Sequence, residues 1–435
     1  MASRTLQRFG WYIYDWANSA FSTSVVTVFL GPYLTTVAKA SLDQDGRING
    51  LGIEPGSWFG YMVSLSVLLQ VLVLPIIGSL TDRTGRKRMM LGVTAGCGAL
   101  CTTLLFFLSV EAGNYVYGGL LFVFANLAFG ASMVVANSFL NDLATVDERD
   151  KISSYGWAVG YLGGGLLLLI HLFYFQSIKD AGGDAGLAVR IILASAGIWW
   201  ALFTLVPLRL LPARPTTYVP PDRTSIRDTF LQLWSTLRSL RRLPMALTFF
   251  VAYMLYNDTV QTVITMAGIY GQEELGLGLD VLTKAILLVQ FVAVGGSLLF
   301  ERIAALIGTK HAISLSLVAW IGVLFAAYAL VASAAHFYML AAVIAIVLGG
   351  TQALSRSLFS TMIPAGKEAE FFSLYEVCAH GTSWLGPLFF ALALDITGSY
   401  RIAILSLITF ILIGLLVLLR VNVPLAIQQA RQAHD

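Results

Sequence analysis

The feature that most constrains the fold of this chain is a set of long segments without a single charged side chain. No Asp, Glu, Lys or Arg occurs in residues 55–81, 112–141 or 152–178. A helix that crosses a roughly 30 Å hydrocarbon core needs about 20 mostly apolar residues, so each segment is long enough to span a bilayer. Only 12% of the 435 residues are charged, whereas soluble domains carry about 25%. Lipid must therefore solvate much of the surface.

Apolar runs of this kind recur along the sequence and predict an all-α membrane protein with twelve transmembrane helices. A polar linker at 212–243 separates a six-helix bundle at 1–211 from a second one at 244–423, and a short tail at 424–435 follows. The predicted spans, numbered 1 to 12 from here on, are 10–38, 56–80, 89–110, 115–140, 153–178, 187–211, 244–271, 280–304, 311–333, 336–361, 371–397 and 400–422.

The basic residues predict which ends of the spans face the cytoplasm, because cytoplasmic loops carry an excess of Lys and Arg. If the N-terminus is cytoplasmic, 21 of the 27 basic residues lie on the cytoplasmic side and 6 on the other. We therefore predict a multi-pass protein of the cell (inner) membrane with both termini in the cytoplasm. The net charge of +3 then belongs to these loops and does not indicate nucleic-acid binding.

The linker has two parts. Four prolines within residues 212–221 keep its beginning extended, since proline cannot donate a backbone hydrogen bond. Apolar residues then recur at helical spacing from Phe230 to Leu240, with arginines around them. This pattern is typical of an amphipathic helix on the membrane surface. A solvated connector is the alternative.

A weak internal repeat relates the two sets of six spans. Tyr14 and Asn18 in span 1 recur with the same spacing as Tyr253 and Asn257 in span 7. Similar echoes join span 4 to span 10 and span 5 to span 11. Together they favour duplicated six-helix halves, an arrangement that puts a substrate site at mid-membrane between the halves.

The loop between spans 2 and 3 carries the most specific motif in the chain. It reads GSLTDRTGRKR over residues 78–88 and resembles the signature loop of the major facilitator superfamily, G-x-L-x-D-R-x-G-R-[KR], at every defining position. Glycine allows close helix packing at the first position and a tight turn at the later one. The resemblance implies two pseudo-symmetric six-helix bundles and a cytoplasmic gate. The motif residues of that gate are Gly78, Asp82, Arg83, Gly85, Arg86 and Lys87.

The same resemblance implies how the loop acts. In the superfamily the aspartate of the motif faces the start of span 11, where a helix N-terminus favours an anion, so we expect Asp82 to contact that helix. Asp142, at the end of span 4, is predicted to pair with Arg83 or Arg86. The corresponding loop of the second half, within residues 301–310, matches the motif poorly, so we expect a weaker latch there.

Four stretches in spans 1, 7, 10 and 11 point to a narrower family. They read YDWANSAF at 14–21, YNDTVQT at 256–262, GGTQALSRS at 349–357 and AEFF at 369–372. These stretches resemble the bacterial relatives of the autophagy-linked vacuole effluxers. The resemblance implies export of amino acids, since the family is associated with their release from vacuoles.

Polar side chains in spans 1 and 7 are candidates for substrate binding or coupling. An ionised side chain at mid-bilayer costs roughly 2.5–3.5 kcal/mol or more, so it usually faces a cavity or a partner. Asp15 and Asn18 lie on one face of span 1, where Asp15 acts either as an interdomain latch or in the transport path. Asp258 and Gln261 belong to a polar stripe on span 7, for which we favour a role in transport.

Spans 10 and 11 contain further candidates. Gln352 and Arg356 form a polar stripe on span 10. Arg356 either pairs with a carboxylate of the substrate or the protein, or extends to the cytoplasmic surface. Glu376 and His380 lie four residues apart on span 11, where they either relay protons or form a satisfied packing pair.

These features predict a secondary transporter that moves a small polar solute by alternating access, with an amino acid and efflux as working hypotheses. A lipid or lysolipid flippase on the same fold is the alternative. A membrane receptor or enzyme is a rival of another class, which no nucleophile, metal or phosphate constellation supports. We expect no cofactor and no metal, protons as a candidate coupling ion, contact with membrane lipids, and a monomer.

Overall fold

The computed structural model describes residues 3–40, 48, 55–213, 243–381 and 385–432 of the chain. Among these residues, ten helices are long and apolar enough to cross a membrane by length and composition. The helices of spans 7 and 11 complete the set, so the predicted all-α fold with twelve spans is confirmed. The amphipathic helix predicted in the linker lies outside the described residues.

Most observed helices begin a few residues before the predicted spans, because a helix continues past the edge of its apolar segment to its cap. Several, such as those of spans 3, 9 and 12, end a few residues before the predicted limit. The bounds in chain order are Arg4–Lys39, Pro55–Thr84, Lys87–Phe107, Tyr115–Leu143, Val146–Asp180, Ala185–Leu210, Pro244–Ile269, Leu279–Ile307, Thr309–Ala329, Ala334–Ser360, Glu368–Gly381 together with Leu385–Thr397, and Tyr400–Leu419. A further helix, Val423–Gln432, follows span 12.

Side-chain caps fix where several helices begin. Serine and aspartate side chains accept hydrogen bonds from backbone N–H groups that have no partner within the helix, which stabilises the first turn. Such caps begin spans 1, 6, 10 and 12, at Ser3, Asp184, Ser333 and Ser399. Before span 5, Thr145 and Glu148 form a capping box, which explains why this helix begins earlier than the apolar pattern predicts.

Buried apolar side chains form two large clusters, one in each half. The first lies within residues 11–211 and the second within residues 243–426. A much smaller cluster lies at the boundary between the halves, where Leu74 of span 2 meets Ala369 of span 11. Each half therefore has a core of its own, and the surface between them is not a continuous apolar core.

Contacts between the halves repeat with pseudo-twofold symmetry. Span 5 packs against spans 8 and 10 of the second half, and span 11 packs against spans 2 and 4 of the first. Exchanging corresponding helices of the two halves converts one set of contacts into the other. Both sets include contacts at the end of the molecule that carries residues 78–88, which we call the motif face.

Candidate functional site

Arg356 lies near the end of span 10, yet its side chain is only 2% exposed. It crosses the boundary between the halves, and its Nη1 atom lies 3.3 Å from Oδ2 of Asp15 in span 1. The interpretation in which Arg356 extends to the membrane surface is therefore wrong. The pairing with a protein carboxylate, its alternative, is the arrangement found.

Ser153 of span 5 holds the rest of the guanidinium. Nε of Arg356 donates to Ser153 Oγ at 2.9 Å, and Nη2 donates to the Ser153 carbonyl at 2.8 Å. The Ser153 hydroxyl in turn donates to the carbonyl of Ala353 at 2.7 Å. A single serine thus joins spans 5 and 10 through both its backbone and its side chain.

Two tryptophans of the first half lie against the same guanidinium. The ring centre of Trp11 is 4.7 Å from Cζ of Arg356, and that of Trp157 is 5.4 Å away. Cation–π contacts of this kind contribute about 2 kcal/mol or more when desolvated. They help to offset the desolvation of a buried cation that has one carboxylate beside it.

Asn137 of span 4 connects Arg356 to a second acid. Its Oδ1 atom accepts a hydrogen bond from Nη1 of Arg356 at 3.3 Å, and its Nδ2 atom donates to Oε1 of Glu376 at 2.9 Å. Asp15, Arg356 and Glu376 are separate candidates in the sequence. The structure brings them into one cluster that spans both halves.

We call this cluster of Asp15, Asn137, Ser153, Arg356 and Glu376 the interhalf network. All five residues are buried, and the network contains one cationic and two carboxyl side chains. Removing one partner of a buried ion pair costs roughly 3–5 kcal/mol, since the other charge stays buried. The network therefore fixes how the halves dock at this depth, and it has to be dismantled when they separate.

A second polar cluster lies entirely within the second half. Gln352 Nε2 donates to Asn257 Oδ1 at 2.9 Å, and Asn257 Nδ2 donates to the carbonyl of Ala379 at 3.1 Å. Gln352 lies on span 10, as Arg356 does, but these two hydrogen bonds do not connect it to the interhalf network. The polar stripe predicted on span 10 thus divides between two clusters.

Asp258 of span 7 is 1% exposed, and no described side chain pairs with its carboxylate, which faces the backbone N–H of Gly386. It lies beside Gly386 of span 11, where a Cβ atom would be 2.9 Å from Asp258 Oδ2. Thr262, one turn further along span 7, donates to the Asp258 carbonyl instead of its carboxylate. Asp258 is therefore a buried acid that the interhalf network does not include.

Three other candidates are not members of these clusters, although the Asn18 side chain hydrogen-bonds Asp15 of the interhalf network. Asn18 is buried one turn after Asp15, and its amide lies 3.3 Å from the sulfur of Met133. Gln261 is partly exposed on span 7. The His380 side chain lies outside the described residues, so both alternatives for its pairing with Glu376, a proton relay and a packing pair, stay predictions.

The loop motif places Asp82 against the start of span 11. Its Oδ1 atom accepts a hydrogen bond from the Ala369 N–H at 3.0 Å, and Oδ2 accepts one from the Glu370 N–H at 2.8 Å. A Cβ atom on Gly78 would lie 2.4 Å from the Ala369 carbonyl oxygen, so only glycine permits this approach. Gly85 adopts φ +60°, which the tight turn requires.

The partner of Asp142 is Lys87, whereas the sequence predicts Arg83 or Arg86. Nζ of Lys87 lies 2.9 Å from Oδ2 of Asp142. The turn at Gly85 is the physical reason, because it leaves Arg86 exposed and directs Lys87, the first residue of span 3, into the protein with 1% exposure.

The site also contains three residues that are not among the candidates predicted from the sequence: Asn137, Ser153 and Trp157. Asn137 and Ser153 are small polar residues at the ends of spans 4 and 5. Polar residues are common at the ends of membrane spans, so neither residue stands out in the sequence. The one signal that marks them is the internal repeat, in which Asn137 of span 4 corresponds to Arg356 of span 10, and Ser153 of span 5 to Ser373 of span 11. Their role depends on the approach of Arg356 from more than 200 positions away.

Comparison with known proteins agrees with this architecture. A sequence model of the family described as "Vacuole effluxer Atg22 like" matches residues 5–431. The chain belongs to this family. It is 27% identical over 434 residues to the uncharacterized MFS-type transporter YxiO of Bacillus subtilis (strain 168), covering 99% of this chain and 98% of that relative. It is 26% identical over 490 residues to Autophagy-related protein 22 of Kluyveromyces lactis, covering 97% and 94%.

Solved structures share the fold of this family member. The proton:xylose symporter XylE aligns with a TM-score of 0.68 at 14% identity, covering 95% of this chain and 94% of that one. The human organic anion transporter MFSD10 aligns with a TM-score of 0.68 at 15% identity, covering 96% and 100%. At these low sequence identities, the structural similarity establishes only that the chain has the major facilitator fold. Both resemblances stated from the sequence are confirmed, and the chain is an MFS-type transporter, not an enzyme.

Proposed function

We propose that this protein is a secondary active transporter that exports a small polar solute, in the first place an amino acid, by alternating access. The interhalf network is the observation that carries the proposal, because it joins ionisable groups of spans 1, 10 and 11 across the boundary between the halves. Rocking of the halves has to separate Arg356 from Asp15 and Asn137 from Glu376. These groups then become available to a solute between the halves.

The chemistry of the network suits a zwitterion. A free guanidinium binds a carboxylate in a bidentate manner, so the carboxylate of an amino acid can take the place of Asp15 beside Arg356. Glu376 and Asp258 are the acids that can accept hydrogen bonds from its ammonium group. The effluxer description of the family supports export as the direction.

Protons are the proposed coupling ion. The network holds one guanidinium against two carboxyl groups, so one bound proton balances its charge while the halves are docked. Separation of the halves replaces these partners with water and solute, which changes how strongly the proton is held. The similar structure of XylE belongs to a proton symporter by its name. Facilitated diffusion, in which these acids only bind solute or hold helices, is the rival.

The proposed location is the cell (inner) membrane, with both termini cytoplasmic and the protein monomeric. The distribution of Lys and Arg supports this orientation. The motif face is then the cytoplasmic face. Its contacts between the halves are formed in this structure, so the cytoplasmic side is the closed one.

A thermal-shift screen on the purified protein tests the substrate class, because a ligand that binds only the folded state raises the unfolding temperature. The screen compares amino acids, organic acids and sugars with lysolipids. Stabilisation by an amino acid supports the proposal. Stabilisation by lysolipids alone overturns it in favour of the flippase alternative.

Asp258→Asn and Glu376→Gln test the coupling in proteoliposomes. We expect each variant to lose accumulation driven by a pH gradient and to keep counterflow exchange of the solute, since exchange needs no net proton movement and the amide oxygen of Asn or Gln still accepts a hydrogen bond from the ammonium group. Glu301→Gln is the matched control, because it removes an acid at the end of span 8 that belongs to neither cluster.

Two results would contradict the coupling proposal in different ways. If both variants still concentrate solute against a gradient, the proton is carried by other residues. If the parent protein does not respond to a proton gradient at all, facilitated diffusion replaces proton coupling, while the substrate class found in the thermal-shift screen stands.

A further inference from the structure

A cavity on the motif face lies away from the interhalf network and has no part in the transport mechanism above. Its volume is about 520 Å³, and it lies between the loop that joins spans 8 and 9, the end of span 10 and the segment that follows span 12. Its polar lining includes Thr309, Lys310, His311, Arg420 and Asn422. Among the described residues that line it, none is acidic.

The two cations of this cavity are placed differently. Lys310 donates to the carbonyls of Leu419 and Val421 at 2.8 Å each. An ammonium has three N–H donors, so these bonds fix the side chain and leave one donor for a ligand. Arg420 is exposed at the rim and forms no ion pair with a described residue. The cavity therefore presents one fixed positive charge and one exposed positive charge.

Span 9 begins at this cavity. Gly308 precedes it without any side-chain cap, and the residues of its first turn line the cavity. The backbone N–H groups of that turn have no partner within the helix, and the helix dipole favours an anion there. This contribution adds to the charges of Lys310 and Arg420.

The remaining walls are apolar. Leu358 and Leu419 line the cavity at the ends of spans 10 and 12, where the bilayer interface lies. Val423 and Pro424, at the start of the helix that follows span 12, complete the apolar lining. A cavity that combines cationic groups with apolar walls at this depth fits an amphiphile better than a free ion. Basic pockets between transmembrane helices on the cytoplasmic side are known to bind anionic headgroups.

We propose that this cavity binds the phosphate headgroup of an anionic phospholipid from the surrounding leaflet. Thr309 gives the site a link to the other half, because its hydroxyl donates to Asp150 at the start of span 5. A headgroup at the first turn of span 9 therefore lies beside a contact that joins the halves. Lipid composition would then influence how firmly the motif face closes.

Native mass spectrometry of the full-length protein, titrated with phosphatidylglycerol or phosphatidylcholine, tests the proposal. We expect tighter binding of phosphatidylglycerol, and a loss of several-fold in its affinity in Arg420→Gln that Arg420→Lys restores. Arg302→Gln is the matched control, since Arg302 is an exposed cation near the end of span 8 that does not line the cavity. It should bind phosphatidylglycerol like the parent.

Competition with inorganic phosphate distinguishes a lipid from a free anion. The proposal holds if millimolar inorganic phosphate does not displace phosphatidylglycerol. Displacement by phosphate, with no preference between the two lipids, would assign the cavity to a soluble phosphate and overturn the lipid proposal. Equal losses in Arg420→Gln and Arg302→Gln would show general surface attraction and overturn it as well. None of these measurements requires transport activity.

Discussion

The loop between spans 2 and 3 and the loop between spans 8 and 9 occupy equivalent places in the two halves, yet they contact the opposite half differently. In the first, Asp82 at the end of span 2 accepts two backbone hydrogen bonds from the start of span 11. In the second, the carboxylate belongs to the opposite helix, because Asp150 at the start of span 5 accepts from the Thr309 hydroxyl. The donor and acceptor sides are exchanged.

The cations of the two loops differ as well. Lys87 pairs with Asp142 of its own half, and its Nζ atom lies 3.6 Å from Oε2 of Glu368 across the boundary. Lys310 donates to carbonyls within its own half. Among the described residues, an ion pair crosses the boundary at the first loop, and the Thr309 hydroxyl crosses it to reach Asp150 at the second. Duplicated helices therefore do not require the same latch in both halves. When the contact at the first loop is strong, the residues at the second loop can differ.

We expect Lys87→Gln to produce the largest effect among variants of these loops. It leaves Asp142 without its cation. Breaking a fully buried pair costs roughly 3–5 kcal/mol, and this figure is an upper bound here because the Asp142 side chain is 15% exposed. The unfolding temperature should fall, and the motif face should open. Opening is measured as the distance between spin labels at Val146 and Leu306, which are exposed in different halves. Lys151→Gln, which changes an exposed lysine, is the control. Equal unfolding temperatures in Lys87→Gln and Lys151→Gln would contradict the prediction.

Asp82→Asn should have the next largest effect. Asparagine keeps one acceptor oxygen but loses the second acceptor and the charge that faces the helix N-terminus. Hydrogen bonds to charged groups contribute about 1.5–3 kcal/mol, so the open population should rise roughly tenfold or more, with membrane insertion intact and transport impaired. Asp147→Asn changes an exposed acid on the same face and should behave like the parent. Unchanged label distances and transport would remove Asp82 from the latch.

Thr309→Val should have the smallest effect. It removes one hydrogen bond to the Asp150 carboxylate, whereas Asp82→Asn disturbs two backbone hydrogen bonds and removes a charge that faces a helix N-terminus. The shift toward the open state should therefore be smaller than in Asp82→Asn. Thr309→Ser keeps the hydroxyl and should restore the parent distances. A shift in Thr309→Val as large as that in Asp82→Asn would reverse the comparison and make the second loop the stronger latch. The weaker second latch expected from the degenerate motif stays a prediction until these variants are compared.

Several parts of the site could be predicted because they depend on local sequence. A charged side chain within an apolar helix is visible without a structure, and so Asp15, Arg356 and Glu376 are candidates from the sequence alone. Their grouping into one network could not be predicted, because it depends on Asn137 and Ser153. These are uncharged polar residues whose role is not apparent from the sequence. The misassigned partner of Asp142 has a similar origin, since one turn at Gly85 decides whether residue 86 or 87 faces inward.

The sequence by itself determined the twelve spans, the duplicated halves and the loop motif, because lipid imposes a length and a polarity on each helix whatever its neighbours are. Only the tertiary structure decided which charges meet. Arg356 and Asp15 are 341 positions apart, and Asp82 reaches span 11 across 287 positions. Such pairs form when two separately packed halves dock. Docking depends on shape and rotation at their shared surface, which the pattern within any one helix does not encode.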